Sequence, residues 1–186
     1  SKLVANVNSR QPVQDIIRPG EGWEKVGEGK NITALAGAAD GSVLAADSGA
    51  GTITQVNGGT TTLNLAGVEG LASGTHGELY ASVPGKKRVI VLDSSGKEKL
   101  FASGRMIGQL AADSKGRIYG VDKVTGEILR LPVSGKSSAV SADAPHAFGI
   151  CFTPDQQRIN ASLTGPAESG WSYHVTPDGA LTQGQE

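Results

Sequence analysis

The stretch Glu69–Lys97, EGLASGTHGELYASVPGKKRVIVLDSSGK, returns 39 residues later as Gly108–Lys136, GQLAADSKGRIYGVDKVTGEILRLPVSGK. Each copy reads as a small apolar strand, a polar turn, a second strand, a polar loop, a third strand and a closing glycine turn. The same layout covers Thr33–Gly59 and Phe148–Ala180. The first-turn glycine falls at Gly41, Gly77 and Gly116, with Gln156 in its place in the fourth copy, giving spacings of 36, 39 and 40 residues. Short strands at that period are the pattern of β-propeller blades, four-stranded antiparallel sheets set radially about one axis. The expected fold class is therefore all-β, with four blade units.

Detail inside the units agrees. GELYASV and GRIYGVD alternate large and small residues, as strands packed between neighbouring blades require. RVIVLD and EILRLPV read as third strands, with Ile128, Arg130 and Pro132 alternating against Leu129, Leu131 and Val133. DSSGKE (93–98) and PVSGKSS (132–138) carry turn chemistry. Asp47 and Asp122 recur at the end of the second strand, where a carboxylate can accept from the following turn. Residues 1–22, with Pro12, Pro19 and PGEG, read as an arm or inter-domain linker holding at most a short turn near Val13–Ile17, and 23–186 as blades. WEKVGEGKN, from Trp23, reads as an outer strand delivered ahead of the first blade. Four units either close a four-bladed ring or form an arc of a larger one, leaving strand edges and apolar faces open.

Lys plus Arg number 17 against 18 Asp plus Glu, a net charge of −1, which offers no general attraction to nucleic acid or an anionic membrane. Lys86-Lys87-Arg88 follows Pro84-Gly85 without interleaved aromatics and reads as a solvated turn. One cysteine allows no internal disulfide, and Cys151, in an apolar run, reads as a small buried hydrophobe. No apolar run approaches the ~20 residues that span a bilayer. No charged-then-apolar leader is visible, and the start at Ser1 suggests a processed or excised piece. The compartment is left open, an extracytoplasmic one included.

ADGSVLAAD, GLASGTHGELYAS, LAADSKGRIYGVD and above all FGICFTPDQQRINASLTG…WSYHVTPDGALTQGQ resemble the SMP-30/gluconolactonase-like propeller family over residues 23–186. That resemblance implies a six-bladed ring, of which this chain would be about the first two thirds. It also implies a divalent cation such as Ca²⁺ or Zn²⁺ at one channel mouth, used to hydrolyse sugar lactones by polarising the carbonyl and activating water. Where the family has the Glu of an EGP motif, this chain has Thr33-Ala34-Leu35. The Asn of a PND motif is replaced within Ile107-Gly108-Gln109, and the Asn of an NG motif by Phe148 before Gly149. The fourth ligand would lie beyond Glu186. The channel-mouth positions are then Thr33, Glu69, Gly108 and Phe148, with Glu69 the one carboxylate. Hard cations take ~6 to 8 oxygens and Zn²⁺ three or four His, Cys or acidic groups, so no metal or other cofactor is expected.

Among other residues, His146 in APHAFG precedes the fourth inner strand and is placed to approach Glu69, a weak acid–base pair. His76 reads as a turn residue, and His174 as a strand residue beside Tyr173. There is no G-x-S-x-G elbow, and SGKSS lacks the upstream glycine of a P-loop. Asn31-Ile32-Thr33 and Asn160-Ala161-Ser162 match the glycosylation sequon but read as strand-embedded. The functional expectation is a non-catalytic binding or scaffold module, taking a small sugar-like ligand or a protein partner at the channel mouth and needing further blades or domains. A lactone hydrolase with ligands in another register or from further blades is the alternative.

Overall fold

The computed structural model describes residues 27–38, 40–56, 61–93, 97–131, 138–141, 146–164 and 170–185. These form sixteen strands in four sheets. Sheet I holds β1 (Ile32–Gly37), β2 (Val43–Asp47), β3 (Thr52–Gln55) and β4 (Thr61–Asn64). Sheet II holds β5 (Gly70–Ser73), β6 (Leu79–Val83), β7 (Arg88–Leu92) and β8 (Glu98–Ser103). Sheet III holds β9 (Ile107–Ala112), β10 (Ile118–Asp122), β11 (Ile128–Leu131) and β12 (Ser138–Ser141). Sheet IV holds β13 (Ala147–Phe152), β14 (Arg158–Leu163), β15 (Gly170–Val175) and β16 (Leu181–Gln185). In every sheet the strands follow chain order and pair antiparallel, each repeat unit folding as one sheet.

The turns explain why the period is kept. Gly41, Gly77 and Gly116 sit at φ 82°, 83° and 76°, and Gln156 takes the same left-handed conformation at φ 60°. That conformation costs a side chain roughly 1–2 kcal/mol; the neighbouring Asp155 offsets it by accepting from Gln157 N and Thr153 Oγ1. Asp47 Oδ1 accepts from the amides of Gly49 and Ala50, both at 2.9 Å, and Asp122 Oδ1 from Val124 N at 2.8 Å. The recurring aspartates thus close the turn after the second strand in sheets I and III, as the repeat suggests.

Three apolar layers separate four sheets. Ile53 and Ala46 of sheet I meet Ala81, Val83 and Ile90 of sheet II. Val89 and Phe101 of sheet II meet Leu110, Ile118 and Leu129 of sheet III, with Phe101 edge-on to Tyr80. Tyr119, Val121 and Ile128 of sheet III meet Ile159, Ala161 and Tyr173 of sheet IV. Each fully buried Ile contributes roughly 2–3 kcal/mol of transfer free energy, so the layers hold the sheets radially. Period-2 alternation supplies both faces of sheets II and III from single strands: Leu79, Ala81 and Val83 face one way, Tyr80 the other. Gly120 has no Cβ because one would collide with Ile107 and crowd Leu110.

Among the described residues no hydrophobic cluster joins sheet IV back to sheet I. The four sheets form an arc, and the closed four-bladed alternative is not what these residues build. The outer face of sheet I leaves Leu35 61% and Val43 40% exposed. On sheet IV the uncovered face corrects the reading of Cys151. Ile150 and Phe152 pack toward sheet III, so alternation turns Cys151 outward, where it is exposed. Of the segment from Trp23, the described residues Gly27–Asn31 form no strand, and sheet I draws its four strands from Ile32–Asn64. The rest of WEKVGEGKN and the 1–22 arm lie outside the described residues, as does most of the 132–138 turn.

Candidate functional site

Inner strands β1, β9 and β13 each begin with a register shift against their partner. Ile32 pairs with Asp47 and Ala34 with Ala46, leaving Thr33 extra; Ala147 pairs with Leu163 and Gly149 with Ser162, leaving Phe148 extra. In β9 the pairs Ile107–Asp122 and Leu110–Gly120 leave Gly108 and Gln109 opposite Val121. A bulge inserts an unpaired residue and re-aims its side chain. Thr33, Gly108 and Phe148 are thus structurally equivalent bulge positions at one end of the inner strands.

Glu69, Gly108, Gln109, Lys123, Gly126, His146, Phe148 and Thr164 line one cleft of about 120 Å³. Of the residues singled out in the sequence, Glu69, Gly108, His146 and Phe148 come together there. Thr33 does not line it: its hydroxyl donates to Val68 O at 2.6 Å, tying sheet I to sheet II. Phe148 is 61% exposed, an aromatic wall standing at the opening. His146 holds φ 58° while its carbonyl accepts from Thr164 N at 3.0 Å. The floor beneath it is Gly126, at φ 73°, where any Cβ would collide with His146 Cα. The β10–β11 turn can approach the strand entering sheet IV only because residue 126 is glycine.

Two residues that carry the chemistry of the cleft were not singled out in the sequence. Gln109 Nε2 donates to Glu69 O at 2.8 Å and to Thr33 O at 3.2 Å, so one amide from sheet III links sheets I and II. Lys123 Nζ forms an ion pair with Glu69 Oε2. Its stem lies over Gly108, whose missing side chain leaves that room, since a Cβ there would stand 3.1 Å from Lys123 Cγ. Glu69 is thereby bound to Lys123, and the His146 ring shares its cleft. A signal for Lys123 existed: it follows the recurring Asp122, and Thr164 occupies the matching place after β14. For Gln109 the sequence held no signal beyond its place next to Gly108.

The remaining candidates lie elsewhere. His76 is in the β5–β6 turn, its Nδ1 3.0 Å from Thr75 Oγ1 and 3.6 Å from Glu78 Oε1. His174 Nε2 lies 2.9 Å from Arg158 Nη2; a guanidinium only donates, so this nitrogen accepts and the proton sits on Nδ1. Arg88 of the basic run pairs with Glu98 across sheet II. Asn31 is an exposed coil residue bonded to Ser48 rather than strand-embedded, whereas Asn160 is in β14.

A second polar assembly closes the far side of the sheet III–IV junction. Arg117 Nη1 and Lys115 Nζ donate to Pro177 O, both at 2.9 Å, and Tyr119 OH to Gly179 O at 3.0 Å. Arg130 Nη1 donates to Asp178 O. Sheet III and its β9–β10 turn grip the Thr176–Gly179 turn by its backbone carbonyls.

This arrangement of radial sheets recurs in solved structures. A gluconolactonase from Xanthomonas campestris superposes with a TM-score of 0.69 at 19% identity, over 83% of this chain and 61% of that one. The chain folds as a gluconolactonase-like β-propeller. Virginiamycin B lyase from Staphylococcus aureus, solved with quinupristin, is similar at TM-score 0.65 and 16% identity, over 88% of this chain and 58% of that one. A chain of a nidogen/laminin complex is similar at TM-score 0.64 and 17% identity, over 80% and 61%. The propeller here spans about three fifths of the length of these structures. No family model and no curated protein matches the sequence.

Among the described residues lining the mouth, Glu69 is the one carboxylate. Among the described residues no three His, Cys, Asp or Glu side chains gather to hold one. The carbonyls of Thr33 and Glu69 each accept from the Gln109 amide.

Proposed function

We propose that this chain is a propeller binding module whose ligand place is the cleft at the mouth of the arc, and that it works without the metal-assisted lactone chemistry of the family it resembles. The observation that carries this reading is the Gln109 amide. Its N–H groups satisfy the carbonyls of Thr33 and Glu69, an electrostatic task a cation could also perform. With glycine and phenylalanine in two further bulge positions, the mouth offers shape, one aromatic surface and a compensated ion pair. It does not offer the cluster of oxygens needed to polarise a lactone carbonyl. Further sheets packing on the exposed faces of sheets I and IV would complete the ring, and the apolar Leu35 and Val43 are the surface they would cover.

Titration with Ca²⁺, Zn²⁺ and Mn²⁺ while recording Tm tests the reading. No shift is expected, and a rise of several degrees at micromolar metal overturns it, because tight binding to the native state must stabilise that state. The second reading, a metal-dependent lactone hydrolase, is supported by the likeness to the Xanthomonas gluconolactonase. It predicts metal-stimulated opening of gluconolactone above the spontaneous rate, and its absence in metal-replete protein disfavours it.

A further inference from the structure

We infer that the ligand of the cleft is a small zwitterion of the α-amino-acid type, held by its carboxylate on Lys123 and its ammonium on Glu69; this rests on the cleft being the binding place proposed above. The fully charged side chains lining the cleft are one lysine and one glutamate, and they are paired to each other. An anion placed on Lys123 would lie beside the Glu69 carboxylate and be repelled. A cation on Glu69 would meet the same difficulty with Lys123. A zwitterion laid antiparallel to the pair satisfies both charges and leaves the local balance unchanged. Opening the pair is easy, because the Lys123 and Glu69 side chains are 40% and 38% exposed and a pair in that setting contributes little.

Position favours this occupant over a neutral polyol. The donors of Gln109 Nε2 are spent on the Thr33 and Glu69 carbonyls, and the Thr164 hydroxyl is directed to His146 O. The His146 ring and Gln109 Oε1 are the neutral groups left to read hydroxyls, and the paired charges are the stronger polar feature. Phe148 and Ala147 supply an apolar wall beside the charges, where an aliphatic side chain can lie and where a ring face attracts an ammonium. The volume of about 120 Å³ is of amino-acid size.

Calorimetry on the whole chain with L-leucine, 4-methylpentanoate, 3-methylbutylamine and glucose decides the matter. L-leucine is expected to bind, with each single-charge analogue weaker by about tenfold or more, since one charge-assisted contact is lost. Lys123→Gln and Glu69→Gln should each weaken leucine by a similar factor, while the exchange K123E with E69K should retain most of the affinity. Melting curves of all three variants establish that they fold. Single-charge analogues binding as tightly as leucine, or variants binding it unchanged, overturn the inference. Binding of glucose without leucine overturns it too, yet leaves the cleft as a binding place. Binding of none of the four at millimolar concentration overturns the inference as well, and leaves the binding-module reading to the metal titration.

Discussion

Replacing Gln109 with alanine removes the side chain that joins three sheets at their inner edge. Two hydrogen bonds go, one at 2.8 Å to Glu69 O and one at 3.2 Å to Thr33 O. The first is of ordinary length and contributes about 1 kcal/mol net; the second is at the long limit and contributes about half of that. Lost contact of the half-buried stem brings the total to about 2 kcal/mol. For a domain of this size each kcal/mol corresponds to roughly 2–4 °C, so Tm should fall by about 4–8 °C. Circular dichroism at neutral pH reads this directly. A second variant separates loss of packing from loss of the donor. Gln109→Glu keeps the shape but turns a carboxylate toward two carbonyl oxygens, so it should melt lower than the alanine variant at pH 7. Protonation restores a donor, so the glutamate variant should regain stability as the pH falls, and millimolar Ca²⁺ should also raise its Tm by bridging the oxygens. If Gln109→Ala melts within about 1 °C of the parent, or the glutamate variant is indifferent to pH and Ca²⁺, the amide is not standing in for a cation.

Tyr119→Phe removes the hydroxyl that reaches Gly179 O from a fully buried ring and leaves that carbonyl unsatisfied. A loss of about 1.5 kcal/mol and about 4 °C is expected, and an unchanged Tm would show that the sheet III–IV clamp does not contribute. Asp47 should mark the acid limb of stability. The amide of Ala50, and those of Lys30, Asn31 and Gly49, hold its carboxyl below the ordinary value of 3.8 against the opposing effect of burial. Its contribution is therefore present above that value and is lost as the pH falls through the depressed one. Asp40, Asp155 and Asp178 are lowered too, chiefly by the hydroxyls of Ser42, Thr153 and Thr176. Tm should be nearly flat from about pH 8 to 5 and fall below about pH 4, with a shallower fall in Asp47→Asn; an identical acid slope in that variant refutes the assignment. Cys151 should react stoichiometrically with a disulfide reagent in the native protein, because its side of sheet IV is uncovered; reaction only in denaturant would mean that another surface covers it.

What the chain carries locally is the blade. A glycine or its stand-in at residues 41, 77, 116 and 156, an aspartate after the second strand in two units, and period-2 alternation each act within a few residues, so they are readable in one dimension. The sheets, their order and the equivalence of Thr33, Gly108 and Phe148 follow from that repetition. Tertiary structure decided the contents of the cleft. Gln109 bonds a carbonyl 76 residues away, and Lys123 pairs with a glutamate 54 residues away. Those meetings depend on bulges that rotate single side chains and on the radius at which neighbouring sheets pack. A two-residue period records which faces alternate. It holds no information about which face another sheet covers, and so Cys151 lies outside while the equally apolar Ile159 is sealed.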